Sequence, residues 1–348
     1  MDYDGLIINY KWRIEQTLTQ NERDHQLKQG VVLDLNSQRI ADDLSVIRLT
    51  SGYMELVDKY YQFKGILTSV MLSLFILSIW AIFAFWGEAI IDIVMHGFNN
   101  GTVYYVFSFI AGGGFLIFLL VSFFMLKKES FARTHYPIRF DRKNKLVHVF
   151  SLESEIYSVK WDDIFFTTGD VLAHKHTKRR NYDIRGHVLD KDGKTVLKTF
   201  GLAASTSNHV ALHRYWEFIR RYMEEGPEAV ADIIKLCPPV EKKREGIFFG
   251  YWYALTVYYG APLVVMPIMM VLALIAWPGR VFAMYTSRRP FWTPEVEAAC
   301  VIDPNDPFDM SAADNPKSIA LWMLGMDKSH RCIDKMRARK MKALERKD

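Results

Sequence analysis

Glu88, Asp92 and His96 recur at four-residue steps in the stretch EAIIDIVMH. On a helix that spacing places two carboxylates and an imidazole on one face. Such a face can ligate a divalent ion. With no other ligand nearby, it reads as a solvated polar face on a short amphipathic segment at the membrane interface in preference to a metal site. His174, Lys175, His176, Lys178, Arg179, Arg180 and Arg185 form the densest basic cluster outside the apolar regions. It falls between strand-like segments and reads as an exposed loop. Anionic lipid would reward it by about 1 kcal/mol per basic side chain near the surface. An acidic protein partner would also fit it, and so would plain solvation. Nucleic acid fits least, because no aromatic platform is interleaved. The chain has no GxSxG, P-loop, HExxH or paired-carboxylate signature. Its three cysteines, Cys237, Cys300 and Cys332, are far apart and odd in number, which argues against a disulfide framework or a zinc site. The reading therefore assigns no catalytic, cofactor-binding or metal-ligating residue, names no cofactor, and expects no enzyme.

The elements that position these residues are set by a membrane. Gly65 to Trp86 is 22 residues without a charge, and Val103 to Leu126 is 24. A hydrocarbon core of roughly 30 Å takes about 20 helical residues to cross, and a soluble helix of this length would show a polar stripe. The two runs read as a transmembrane helical hairpin over 65–126. Arg48, Lys59 and Lys64 precede it, Lys127, Lys128 and Arg133 follow it, and the loop from Gly87 to Thr102 has no Lys or Arg. The positive-inside rule puts both ends in the cytoplasm and Glu88, Asp92 and His96 outside. Gly112, Gly113 and Gly114 in the second run suit close helix packing or a homo-oligomer contact. No Asp, Glu, Lys or Arg lies inside either run, which disfavours a proton-coupled or ion pathway. The N-terminus lacks a basic region followed by an apolar one, so the first span is expected to serve as its own targeting signal.

Residues 1–64 read as a juxtamembrane helical region, with Leu44, Ile47, Leu49, Met54, Val57, Tyr60 and Tyr61 at roughly helical spacing. Residues 132–240 alternate instead. PIRF and LVHVF flank a charged turn, SEIYSVKW and the run from Ile164 follow, and YDIRGHVLD and TVLKTFGL flank Lys191-Asp192-Gly193. An Asp-Gly pair there signals a hairpin, since both residues tolerate positive φ. A helix capped by Ser207 or Asn208 carries Leu212, Tyr215, Trp216, Ile219, Tyr222 and Met223 on one face and stops at Gly226-Pro227. The pattern is an α+β domain of about six antiparallel strands closed by a C-terminal helix.

Residues 246–285 are apolar but broken by Gly260-Ala-Pro262, Pro267 and Pro278. Basic residues flank both sides, so a bent pair of membrane helices, or a re-entrant segment, keeps both flanks inside. Residues 286–348 read as a cytoplasmic Pro- and Asp-rich loop and a basic helix.

A membrane hairpin followed by IRFDRKNKLVHVF, a strand ending in Trp161-Asp-Asp-Ile164 and a closing amphipathic helix resembles bacterial membrane proteins with a pleckstrin-homology-like domain. YPIRFDRKNKLVHVF, VKWDDI, VLDKDGKTV and WEFIRRYMEEGP are similar to an uncharacterised bacterial family often encoded near type VI secretion or Rhs-type toxin genes. That resemblance implies an inner-membrane protein with a cytoplasmic N-terminus. It implies a non-enzymatic immunity or effector-accessory role, with a secreted toxin or secretion component as protein partner and membrane lipid as surroundings. A lipid-sensing scaffold using the basic loop, or a membrane-perturbing toxin, are the other readings.

Overall fold

The computed structural model describes residues 16–35, 37–98, 100–171, 181–256, 264–323 and 331–345. In chain order, β1 (Gln16–Thr17), α1 (Gln20–Asp24), β2 (Gln26–Leu27), β3 (Val46–Leu49) and β4 (Tyr53–Leu56) lead to the apolar helices α2 (Ile66–Ile82), α3 (Glu88–His96) and α4 (Thr102–Glu129). Then come β5 (Ile138–Asp141), β6 (Leu146–Phe150), β7 (Ile156–Lys160), β8 (Ile164–Val171), β9 (Asn181–Leu189), β10 (Thr195–Thr206) and α5 (His209–Glu224). Helices α6 (Ile247–Leu255), α7 (Met266–Thr286) and α8 (Pro294–Ala299), strand β11 (Met310–Ser311), and helices α9 (Ile319–Met323) and α10 (Arg331–Glu345) complete the described chain. The chain divides into two units, one of residues 1–62, 134–252 and 289–348, the other of 63–133 and 253–288.

The first unit is α+β with two antiparallel sheets. One has the order β1-β10-β9-β8-β2, the other β11-β3-β4-β5-β6-β7. Strands β5 to β10 occupy the alternating segments, and Gly193 takes φ +63° in the Asp-Gly turn. Alternate residues Met54, Leu56, Ile138, Phe140, Val147 and Val149 of one sheet meet Phe166, Ile184, Phe200 and Leu202 of the other in a single core. Helix α5 closes it. Asn208 accepts the Val210 N–H at its start, and Leu212, Tyr215, Trp216, Ile219, Tyr222 and Met223 are all buried. Trp216 stacks on Trp161 at 5.7 Å and lies 4.8 Å from Phe166.

The helix expected over 44–61 is instead the strand pair β3–β4, which joins β5 through β4. Seven of its eight strand residues are buried. A strand covered on both faces loses the two-residue alternation that betrays strands in sequence.

Asp42, just before β3, is buried and its Oδ2 has no hydrogen-bond partner among the described residues. Burial pushes its carboxyl up to about 7, against the opposing pull of the Leu44 N–H. An unfolded Asp titrates near 4. Between about pH 4 and pH 7 the unfolded chain therefore releases a proton that the folded chain keeps, and stability falls as pH rises through that window. Asp42→Asn is expected to raise the melting temperature of the purified protein at pH 8, with a smaller difference at pH 4. An equal difference at both pH values would refute this account.

The second unit holds three helices long and apolar enough to cross a membrane: Ile66–His96, Thr102–Glu129 and Met266–Thr286. The first is continuous, because α2 passes through a π-helical turn at Phe83–Gly87 into α3. The segment expected as a loop from Gly87 is thus helical to His96, where Ile90, Ile91 and Val94 extend the apolar surface. Helix α7 also runs through positions expected to break it. Pro267 sits in the first turn, where its missing N–H has no intrahelical acceptor to lose, while Pro278 lies in the interior. Pro278 leaves the Leu274 carbonyl without its intrahelical donor, a loss tolerated in apolar helices packed against neighbours, and α2 packs here, with Ser69 Oγ donating to the Ala276 carbonyl (2.8 Å).

The start of α2, the end of α4 and the last turns of α7 meet in a buried polar knot. Glu129 accepts the Gly65 N–H (2.6 Å), the Thr68 N–H (2.7 Å) and the Thr68 hydroxyl (2.7 Å). Lys64 Nζ donates to the carbonyls of Glu129 (3.0 Å) and Arg133 (2.8 Å), and Arg280 donates to the Lys64 carbonyl (3.1 Å). Gly65 adopts φ +98°, and a Cβ there would overlap the Arg280 backbone. Lys64, Lys127, Lys128, Arg133, Arg280 and Arg288 thus gather at one end of the helices. A 21-residue helix is about 31 Å long, so Met266 lies at the opposite end.

Candidate functional site

Of the residues singled out by spacing, the outer-loop trio does not converge. Asp92 accepts hydrogen bonds from Tyr105 (2.6 Å) and Asn100 Nδ2 (2.7 Å), with His96 Nδ1 at 3.3 Å. It ties α3 to the start of α4, and Glu88 takes no part in that network. Only Gly112 of the glycine run packs closely. A Cβ there would overlap the Trp86 indole, whereas Gly113 and Gly114 have open space around them. His174, Lys175, His176, Lys178, Arg179 and Arg180 lie outside the described residues. Arg185 does not belong to an exposed loop. It sits on β9, donates to Asp183 (2.7 Å) and lies against Gly169.

Two features of the α+β unit were not visible in the sequence. The first is a groove of about 260 Å³ walled by the β6–β7 segment and β10. Ile138, Phe150, Tyr157, Leu197 and Phe200 give it a mostly apolar lining, and Leu197 is 45% exposed. Lys59 lines it too and forms a buried ion pair with Asp183 (2.8 Å). Lys198 and Glu155 pair beside it (2.8 Å). One wall, β7, is the last strand of its sheet, and an edge strand presents unpaired backbone groups that an extended peptide can use.

The second is a polar row across the six-stranded sheet. Register aligns Ser311, Arg48, Glu55, Arg139, His148 and Ser158 side by side on β11, β3, β4, β5, β6 and β7. Because successive strand residues face opposite ways, this row faces away from the main core. The segment after Arg289 covers it. Trp292, Val296 and Cys300 pack there with Tyr53. Arg48 pairs with Glu241 and Asp309, the latter at 2.9 Å. Arg139 pairs with Glu55 (2.6 Å) and lies over the rings of Tyr53 (4.6 Å) and Trp292 (5.0 Å).

Beside this row, Asp141, His148 and Cys300 come together, all buried. Asp141 Oδ2 is 3.7 Å from His148 Nε2 and 3.8 Å from Cys300 Sγ. Asp141 also holds the β5–β6 turn by accepting the Asn144 N–H (3.0 Å) and side-chain amide (2.7 Å). Burial works against its charge, but His148 and the Asn144 donors together hold the carboxyl below its usual range. Burial pushes the Cys300 thiol up to about 11. The geometry does not form a nucleophile–base relay, since the carboxylate, and not the imidazole, contacts the thiol. Cys300 lies 159 positions after Asp141, so no spacing motif announces the cluster.

No curated protein and no solved structure matches this chain. A family model described as a family of unknown function matches residues 115–304, which include strands β5 to β10, helix α5 and Cys300. That match spans more than half of the sequence. The chain, with its apolar helices and its two-sheet unit, belongs to the family of unknown function DUF6708.

Proposed function

We propose that this is a non-enzymatic bacterial inner-membrane protein that works by capturing a protein partner in the groove between β7 and β10. The observation that carries this reading is the groove itself: apolar, open, and bounded by an edge strand. Two sheets closed by the C-terminal helix α5 support a pleckstrin-homology-like domain, a scaffold that serves binding more often than chemistry. The likeness to proteins encoded beside type VI secretion and Rhs-type toxin genes points to a secreted toxin or secretion component as the partner. The role is then that of an immunity or effector-accessory factor. Helices Ile66–His96 and Thr102–Glu129 form its membrane hairpin. The gathering of Lys64, Lys127, Lys128, Arg133, Arg280 and Arg288 at one end supports a cytoplasmic N-terminus under the positive-inside rule.

Cells expressing the toxin encoded beside this gene are expected to survive when the full chain is co-expressed. Leu197→Asp, which puts a charge on the groove wall, should weaken capture at least 10-fold, about 1.4 kcal/mol, while the protein still reaches the membrane. No protection by the wild-type chain overturns the immunity reading, and undiminished capture by Leu197→Asp overturns the groove. A reporter fused after Arg289 should give a cytoplasmic signal, and an external one refutes the topology.

A further inference from the structure

We propose that Asp141 Oδ2, His148 Nε2 and Cys300 Sγ form a binding site for one transition-metal dication of the zinc class. The three donor atoms lie within 4.8 Å of one another. Tetrahedral zinc, with bonds of about 2.0 Å to oxygen and nitrogen and about 2.3 Å to sulfur, spaces oxygen from nitrogen by roughly 3.3 Å and sulfur from either by roughly 3.5 Å. Asp141 Oδ2 is 3.7 Å from His148 Nε2 and 3.8 Å from Cys300 Sγ, a little outside these spacings. Since the three atoms lie within 4.8 Å of one another, side-chain movement of up to roughly 1 Å closes the set around an ion.

The independent observation is His148. The residue is 3% exposed and its Nε2 has no hydrogen-bond partner among the described residues. Its other nitrogen, Nδ1, is fixed by Ser158 Oγ at 2.7 Å. Whichever tautomer it adopts, Nε2 is left aimed at Asp141 beyond hydrogen-bond reach. An unpaired buried polar nitrogen is costly, and a cation between Nε2 and the carboxylate removes that cost. An imidazole whose second nitrogen is held by a hydrogen bond is also the usual arrangement around protein metals.

Charge is consistent with a dication. Asp141 and a Cys300 thiolate neutralise two positive charges. The nearby Arg139 already has its own partner in Glu55 (2.6 Å). Sulfur, imidazole and carboxylate together select zinc or cobalt over magnesium or calcium. Three protein ligands leave a fourth position for water or a neighbouring group. The thiol must give up its proton to the solvent when the ion enters, so binding strengthens as pH rises.

Co²⁺ titrated into the full-length, detergent-purified protein is the probe. One ion per chain, a thiolate-to-cobalt charge-transfer band and the strong visible bands of tetrahedral cobalt are expected. Cys300→Ala should lose the charge-transfer band and at least 10-fold in affinity, while the metal-free variant still unfolds cooperatively, with a melting temperature lowered only by the loss of one buried sulfur. If the band survives in Cys300→Ala, the ion sits on another cysteine and the proposal is wrong. X-ray absorption of the zinc-loaded wild-type chain needs no variant. One sulfur with nitrogen and oxygen neighbours supports the site. A shell without sulfur, or no ion retained after dialysis, overturns it.

Discussion

Glu129→Ala is expected to destabilise the helical unit by about 2–6 kcal/mol, since it leaves two buried backbone N–H groups without their acceptor at about 1–3 kcal/mol each. The carboxylate accepts the Gly65 and Thr68 N–H groups and the Thr68 hydroxyl, all buried. Two of these are backbone donors at the start of α2, where no helical carbonyl exists to accept them. Water cannot replace the carboxylate in a space where Glu129 is 1% exposed. Lys64 and Arg280 are buried as well, and Lys64 Nζ donates to the Glu129 carbonyl, so the loss falls in a packed polar cluster. Glu129→Gln should lose less, because one carbonyl oxygen still accepts while its NH₂ group faces donors. Thermal unfolding in detergent should therefore rank wild type above Gln and Gln above Ala. Equal melting temperatures for wild type and Ala would show that the knot contributes no stability.

Arg139→Met is expected to cost about 3–5 kcal/mol in the α+β unit, and Glu55→Met a similar amount. The two side chains are buried, 2.6 Å apart, and the guanidinium also lies over the Tyr53 and Trp292 rings. Removing Arg139 leaves the Glu55 carboxylate accepting the Trp292 indole N–H at 3.2 Å without the guanidinium that neutralised it. Burial already drives the Glu55 carboxyl upward, with Arg139 opposing it. Without Arg139 the folded state holds the proton to higher pH than the unfolded chain, which titrates near 4.3. The loss in Arg139→Met should thus be smallest near pH 4 and grow as pH rises. The double variant Glu55→Met/Arg139→Met should recover most of either loss, because no buried charge remains unpaired. Additive losses in the double variant, measured by denaturant unfolding, would refute the pairing as the source.

Both effects come from charges that a reading of the sequence places in water. Lys64, Arg280 and Glu129 stand at the margins of apolar runs, where the expectation is solvent or headgroups. Arg139 looks like the polar half of a half-exposed strand, and Glu55 like the polar face of a juxtamembrane helix. Their burial follows from a second layer, the segment around Trp292 and Cys300, laid over the outer face of the six-stranded sheet. In sequence that segment is a Pro- and Asp-rich loop with no periodicity.

By itself the sequence determined what depends on near neighbours. Uncharged runs of 22 and 24 residues require helices in an apolar medium. The alternation from Pro137 to Leu202 and the Asp192-Gly193 turn require antiparallel hairpins. The stripe from Leu212 to Met223 requires a helix with one buried face. Only the tertiary structure decided what depends on contacts between distant segments. It made β3 and β4 strands of a sheet in which β4 pairs with β5, about 80 residues later, and β3 with β11, about 260 residues later. It carried the first apolar helix through to His96, and it brought Cys300 to Asp141 and His148. The difference is physical. Periodicity and turn chemistry are encoded within a few residues of where they act, whereas a buried ion pair or a ligand set is created by the layer that covers it.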